Sequence, residues 1–132
     1  MGRSLILDTR VLIAYERGTI DRTLFDDDEL AVAAVTVAEF RVGIELADTQ
    51  VRAAARSRRL DLLLADIDVL DYSKRTATHH AQLIAHARRA GMPRGAHDLI
   101  IAAHAAETGR TVVSLDAKAR FGELPGVTGI VP

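Results

Sequence analysis

The alternation of apolar and polar positions along the chain marks out short strands separated by longer helices. Ser4-Leu5-Ile6-Leu7 is a brief apolar run that stops at Asp8-Thr9, after which Val11-Leu12-Ile13-Ala14-Tyr15 opens a helix. The acidic run Asp26-Asp27-Asp28-Glu29 reads as a surface turn leading into a second strand at Leu30-Ala31-Val32-Ala33. Thr36 followed three residues later by Glu39 has the form of a capping box, and Phe40, Ile44 and Ala47 carry a helical stripe onward from it. A further helix is expected over residues 50–65, with Leu60, Leu63, Leu64 and Ile67 on one apolar face. Asp68-Val69-Leu70-Asp71-Tyr72 suits a strand, and Ser73 the cap of a long helix that ends at Gly91. Residues 96–108 form another helix closed by Gly109, and the β-branched run Thr111-Val112-Val113-Ser114-Leu115 is a strand. A short helix over 116–121 and a last small strand near 127–131 complete the expected order.

Strands that alternate with helices imply an α/β fold of three layers, a small parallel sheet flanked by helices. In such a sheet the strands end at one edge, and ligands bind in the crevice beyond those ends. Asp8 ends the first strand and Asp116 directly follows the Thr111 strand. Glu39 lies in the first turn of the helix after the second strand. Asp98 opens the helix that leads into the Thr111 strand, so it joins the others only if that helix slants its N-terminus over the same edge. Each acid has an ordinary structural role open to it. Asp8 and Asp116 can cap helices, Glu39 can complete its capping box, and Asp98 can complement a helix dipole. For Asp8, position alone favours the cap.

Four carboxylates at one edge are harder to explain that way. Asp98 is followed by Leu99-Ile100-Ile101-Ala102-Ala103, a helix buried on most sides, where an unpaired acid is expensive. Converged carboxylates repel one another and attract a cation. With oxygen donors and no cysteine in the chain, the hard ions Mg²⁺ and Mn²⁺ are the natural occupants. Such an ion activates water and neutralises charge on a phosphoryl oxygen, which suits hydrolysis of a phosphodiester. Thr9 and Ser114 are placed to support the acids, Ser114 by sharing a strand face with Asp116. The five histidines show no ligand spacing such as HExxH and are expected on the surface or in packing roles. No nucleophile elbow, Walker glycine loop or dinucleotide fingerprint is present.

Composition narrows the class. The 132 residues suffice for one domain, and 48% hydrophobic with 27% charged residues describes a globular chain. Aromatics are only 4%, so the core must be built from Leu, Ile, Val and Ala. The lack of cysteine excludes disulfides and thiolate metal sites and fits a reducing compartment. No apolar stretch approaches the roughly 20 residues that span a bilayer. The N-terminal residues lack a signal-peptide pattern, so a cytoplasmic protein without membrane contact is expected. The net charge of −1 exerts no overall pull on nucleic acid. Its distribution is uneven, with Arg52, Arg56, Arg58 and Arg59 in one cluster and Arg88, Arg89 and Arg94 in another. Each cluster is either a solvated helix face or a phosphate-binding patch.

The segments LILDTRVLIAY, TVAEFRVGI, AHDLIIAAHA and VVSLDAKARF, in this order and spacing, resemble the motifs of PIN-domain ribonucleases. More narrowly they resemble the VapC-type toxins of bacterial toxin–antitoxin pairs, with the similarity running over residues 4–130. The resemblance implies that Asp8, Glu39, Asp98 and Asp116 hold Mg²⁺ or Mn²⁺ as the catalytic acids. It further implies a homodimer that cuts tRNA, rRNA or mRNA, leaving 5′-phosphate and 3′-hydroxyl ends because the ribose 2′-OH is not the nucleophile. A VapB-type antitoxin is expected to cover a groove near the metal, formed by the helices at 36–47 and 50–65 with Phe40, Ile44, Leu46 and the leucines at 60–64. Arg10 stands where the family commonly has a small polar residue. Contact with a substrate phosphate, pairing with an acid of the site and simple solvation are all open to it. Two other functions compete. A non-cleaving PIN-fold module that binds RNA or protein is disfavoured by the presence of all four acids. A phosphatase acting on small molecules is disfavoured by the lack of a phosphate-binding glycine loop.

Overall fold

Leu5, Ile6 and Leu7 are fully buried, as a strand covered on both faces requires, and the rest of the molecule is arranged around them. The computed structural model describes residues 2–116 and 119–132. The elements are β1 (Ser4–Leu7), α1 (Thr9–Arg17), β2 (Glu29–Ala33), α2 (Ala34–Glu45), α3 (Gln50–Leu64) and β3 (Asp68–Leu70), followed by α4 (Lys74–Arg89), α5 (Ala96–Thr108), β4 (Thr111–Val113) and β5 (Thr128–Ile130). Short 3₁₀ turns lie at Arg22–Phe25 and Phe121–Glu123. All strand pairs are parallel, in the order β3-β2-β1-β4-β5.

Successive side chains of a strand face opposite ways, and here they feed two separate cores. Leu5, Leu7, Leu30, Val32 and Val113 pack with Val11 and Leu12 of α1 and Leu63 of α3. Ile6, Ala33 and Val112 pack instead with Leu83 of α4 and with Leu99, Ile101 and Ala102 of α5. The expected three layers are therefore present. From β1 the chain steps outward to β2 and β3, then returns to β4 on the other side of β1. The direction reverses between β1 and β4, where Leu7 pairs with Val113 and the Asp8 N–H donates to the Val113 carbonyl at 3.1 Å. A crevice opens at such a point beyond the strand ends.

Several boundaries differ from expectation for local reasons. β2 runs directly into α2, whose N-cap is Ala33 with no side-chain hydrogen bond. Thr36 is therefore no cap. It is fully buried inside the helix with an unpartnered hydroxyl, and Glu39 sits beyond the first turn. The capping box lies at α4, where the Ser73 hydroxyl accepts from the Thr76 N–H and the Thr76 hydroxyl accepts from the Ser73 N–H. β3 stops at Leu70, before Tyr72. β4 stops at Val113 because the Ser114 hydroxyl accepts from the Asp116 N–H at 3.0 Å and turns the chain, so Ser114 and Asp116 do not share a strand face. The helix expected over 116–121 lies partly outside the described residues. Gly109 closes α5 with φ 70°, a left-handed conformation that glycine adopts without strain.

Candidate active site

Asp8 is positioned by the end of β1 and the start of α1. Its Oδ1 accepts the Val11 N–H at 2.9 Å, so it is the helix cap. That role does not remove it from the crevice. Burial raises its pKa, the bonds from the Ser114 hydroxyl and Val11 amide oppose the rise, Asp116 adds to it, and Arg10 counters it weakly. An aspartate that caps a helix at the switch point thus also stands in the field of another acid.

Glu39 projects from α2 toward the same point. Its Oε1 accepts the Thr9 hydroxyl at 2.9 Å and lies 3.1 Å from His97 Nδ1. Asp98 arrives on the first turn of α5, whose buried face of Leu99, Ile101 and Ala102 fixes the helix against the sheet. Gly95 caps this helix, and a Cβ there would lie 3.0 Å from Asp98 Oδ2, so the glycine leaves room for the carboxylate. The Asp98 carboxyl is held above the ordinary aspartate range, first by burial and then by Asp8, Asp116 and Glu39, with His97 opposing. The condition set for Asp98, that α5 slant its N-terminus over the strand edge, is met in the structure. Asp8, Thr9, Arg10, Glu39, His97, Asp98 and Asp116 line one pocket of about 120 Å³.

An all-oxygen set of four carboxylates converging on one pocket fits a hard divalent cation better than any softer ion. The fit is one of donor chemistry and convergence. Among the described residues no three carboxylate or imidazole groups already form a closed ligand cluster.

The remaining candidates separate. Ser114 touches both Asp8 and Asp116, and Thr9 touches Glu39, so both support the acids. Arg10 is exposed at the pocket rim. Arg52 pairs with Asp48 at 2.6 Å on an exposed turn, and Arg58, Arg88 and Arg89 are exposed. Arg56 donates to the Gly43 carbonyl at 2.9 Å, and Arg59 lies 3.7 Å from Glu16. Together with Arg17, Ile13, Phe40 and Ile44 they rim a groove of about 350 Å³ between α1, α2 and α3, which shares Glu39 with the acidic pocket. Leu60 and Leu63 belong to the core and not to this groove, whereas Val42, Leu46 and Leu62 are exposed.

Arg94 requires a correction. Its side chain is only 6% exposed and donates to the carbonyls of Ala119 and Arg120, so it does not present its charge to a nucleic acid. His97 was not anticipated in the site, although its place one residue before Asp98 on the first turn of α5 carried the signal. His104 does pack in the interior, edge-on to Tyr72, as expected.

Residues 5–125 match the sequence profile of the PIN domain. The chain belongs to the PIN-domain family. Ribonuclease VapC5 of Mycobacterium tuberculosis is 35% identical over 126 residues, covering 95% of this chain and 90% of that protein. The tRNA(fMet)-specific endonuclease VapC of Salmonella typhimurium is 28% identical over 110 residues, 81% of this chain and 78% of that one. A chain in the crystal structure of VapBC-5, a toxin–antitoxin system of Mycobacterium tuberculosis, superposes with a TM-score of 0.79 at 32% identity and 98% coverage of both chains. The five-stranded parallel sheet between helices is the PIN fold seen in such structures. Among the described residues of this PIN domain no helix is long and apolar enough to cross a membrane.

Proposed function

We propose that this chain is a single-domain, metal-dependent endoribonuclease, the toxin of a toxin–antitoxin pair, acting on cytoplasmic RNA. The observation that carries the reading is electrostatic. Asp98, whose pKa is raised first by burial and then by Asp8, Asp116 and Glu39, shares one pocket with those three acids from other segments of the chain, and such a convergence is tolerated where a cation offsets it. The relatives support the substrate and the partner, being a ribonuclease, an endonuclease specific for tRNA(fMet) and a member of a toxin–antitoxin complex.

Asp8, Glu39, Asp98 and Asp116 would hold Mg²⁺, or Mn²⁺ in its place. When bound, the ion supplies Lewis-acid stabilisation of charge on the phosphoryl and leaving oxygens and makes water a better nucleophile. The protein's own part is positional. Thr9 and His97 hold Glu39 through Oε1, which fixes the direction of the carboxylate. Ser114 and the Val11 amide hold Asp8. Arg10 at the rim meets a phosphate flanking the scissile bond, and Arg17, Arg56 and Arg59 draw the backbone along the neighbouring groove. Attack of water on phosphorus with the 3′-oxygen as leaving group breaks the P–O3′ bond and leaves 5′-phosphate and 3′-hydroxyl ends. A VapB-type antitoxin that fills the groove, with its apolar floor of Ile13, Phe40 and Ile44, closes the path to the acids. The working unit is a homodimer.

The test is cleavage of a mixed RNA pool by antitoxin-free protein in Mg²⁺, in Mn²⁺ and in EDTA, beside Asp8→Asn. Asparagine still caps α1, so loss of cutting in the variant reports on the site and not on folding. Metal-dependent cutting with 5′-phosphate ends, absent in the variant, is the expected outcome. Cutting that survives EDTA and the variant would place the chemistry elsewhere. Metal binding without cutting of any RNA would favour a non-cleaving module.

A further inference from the structure

We propose that Arg94 is a positioning residue for Asp116, tying the turn that carries this acid to the segment that launches Asp98; the proposal rests on the metal-site reading above. Arg94 lies between α4 and α5, immediately before Gly95, the N-cap of α5. Its side chain is 6% exposed. Burying a guanidinium carries a desolvation penalty that only specific partners offset. Here the partners all come from the turn after β4. One terminal nitrogen donates to the Ala119 carbonyl and, at 2.8 Å, to the Arg120 carbonyl, while the other lies 3.6 Å from the Glu123 carboxylate. The planar fork lets one terminal nitrogen serve the two carbonyls while the other faces the carboxylate, a division that the single nitrogen of a lysine ammonium does not reproduce.

The hydrogen bonds continue from this clamp to the acids. The Ala119 N–H donates to the Asp116 carbonyl at 3.1 Å, the Asp116 N–H donates to the Ser114 hydroxyl at 3.0 Å, and Ser114 in turn lowers the pKa of Asp8 against the effect of burial. Arg94 thus stands at one end of a chain of contacts whose other end is the buried Asp8, just beyond β1. The turn also needs holding. Arg120 has φ 46°, and among the described residues it is the one non-glycine residue with positive φ. That conformation is disfavoured for a side chain with a Cβ and persists where its surroundings enforce it. Its carbonyl is held by Arg94 and its own guanidinium lies 3.6 Å from Glu123. On the other wall, the backbone that Arg94 anchors leads at once to Gly95 and to the Asp98 carboxylate packed beside it. One buried side chain therefore fixes two walls of the acidic pocket relative to each other without touching its interior.

A residue that only staples the fold would alter stability and leave ion affinity alone. Direct Mn²⁺ binding, by calorimetry on the full chain without RNA, separates the two. Arg94→Ala is expected to weaken Mn²⁺ binding about tenfold, the lower end of what loss of an outer-shell partner costs. In an Asp116→Asn background the same substitution should cost less than about twofold, because residues acting through one another are not additive. Arg94→Lys keeps the charge but not the fork, so it should fall between wild type and Arg94→Ala, and it carries the same test should the alanine variant fail to fold. Unchanged Mn²⁺ affinity in the folded variants, or a loss fully additive with Asp116→Asn, would overturn the proposal. Wild-type protein that binds Mn²⁺ yet cuts no RNA would overturn the nuclease reading while leaving the Arg94 result in place.

Discussion

The acidic pocket and the arginine-rimmed groove share Glu39 as a wall, yet they are built in opposite ways. The pocket gathers four acids from the residues that follow β1 and β4, the first turn of α5 and the middle of α2, where backbone and core leave little freedom, with Arg10 at its rim. The groove sets three arginines of α1 and α3 on long side chains beside Glu16 and Glu39, held by single contacts such as Arg56 to the Gly43 carbonyl. Rigid placement of like charges opposes folding but gives a site whose geometry survives the approach of a substrate. Loose placement on helix faces costs little and suits a polyanion or a partner protein that arrives in many registers. On the proposed reading, bond breaking and binding are separated by the width of one glutamate.

The comparison is broken most directly at Asp98. Asp98→Asn should reduce cleavage by on the order of a thousandfold, since on the proposed reading it removes a charge that would hold the ion. In EDTA the same substitution should raise the melting temperature. Asp8 and Asp98 both have folded-state pKa values above the ordinary aspartate value, chiefly through burial. Such groups contribute stability that is full below the unfolded-state pKa and is lost as pH rises through the folded-state pKa. Metal-free wild type should therefore lose stability as pH rises above the ordinary carboxylate range, and Asp98→Asn should flatten that slope. A variant less stable than wild type in EDTA at neutral pH would show that the acids are not in conflict.

The groove should fail differently. Changing Arg56 and Arg59 together to Gln should raise KM roughly tenfold with little change in kcat, and reduce the salt slope of RNA binding by about two. A fall in kcat with the slope unchanged would erase the division between the two regions. At their boundary, Thr9→Val should weaken Mn²⁺ binding by up to about tenfold, as expected when a ligand's orienting hydrogen bond is removed. If Thr9→Val moved KM alone, Glu39 would belong to the groove.

Much of this was legible in the chain because strand ends are legible. Apolar runs that stop at Asp8 and before Asp116, within alternating strands and helices, led to a parallel sheet with acids at one edge, and the α/β class required no long-range knowledge. The slant of α5, on which Asp98 depends, is a condition that the sequence poses and the packed structure meets. What escaped was side-chain destination. Arg94 and Arg88 belong to one basic cluster in the sequence, yet Arg88 lies exposed on α4 while Arg94, beyond the helix, turns inward to carbonyls some 25 residues away. Local pattern contains no record of such a contact. His97 was passed over because one imidazole without ligand spacing carries no signal until Glu39 of another helix is brought beside it. The capping box at Thr36 failed for a related reason, since the motif presumes a loop before the helix and here β2 continues into α2 without one.

That failure leads to the smallest expected effect. Thr36 is 0% exposed and its hydroxyl has no partner, so the helix shared by pocket and groove carries an unsatisfied polar group in its first turn. Thr36→Val keeps the shape and removes the hydroxyl. Because a buried unpaired donor has lost its water without replacement, the substitution should stabilise the protein by about 1 kcal/mol. Cleavage and RNA binding should not change, since Thr36 lines neither region. Denaturant unfolding measures the first and the salt-dependent assay above measures the second. Destabilisation would mean that the hydroxyl caps the start of α2 after all, as the spacing to Glu39 suggests. Glu39 would then be shared between holding its own helix and serving the pocket, and the boundary between the two regions would rest on a cap and not on Thr9 and His97.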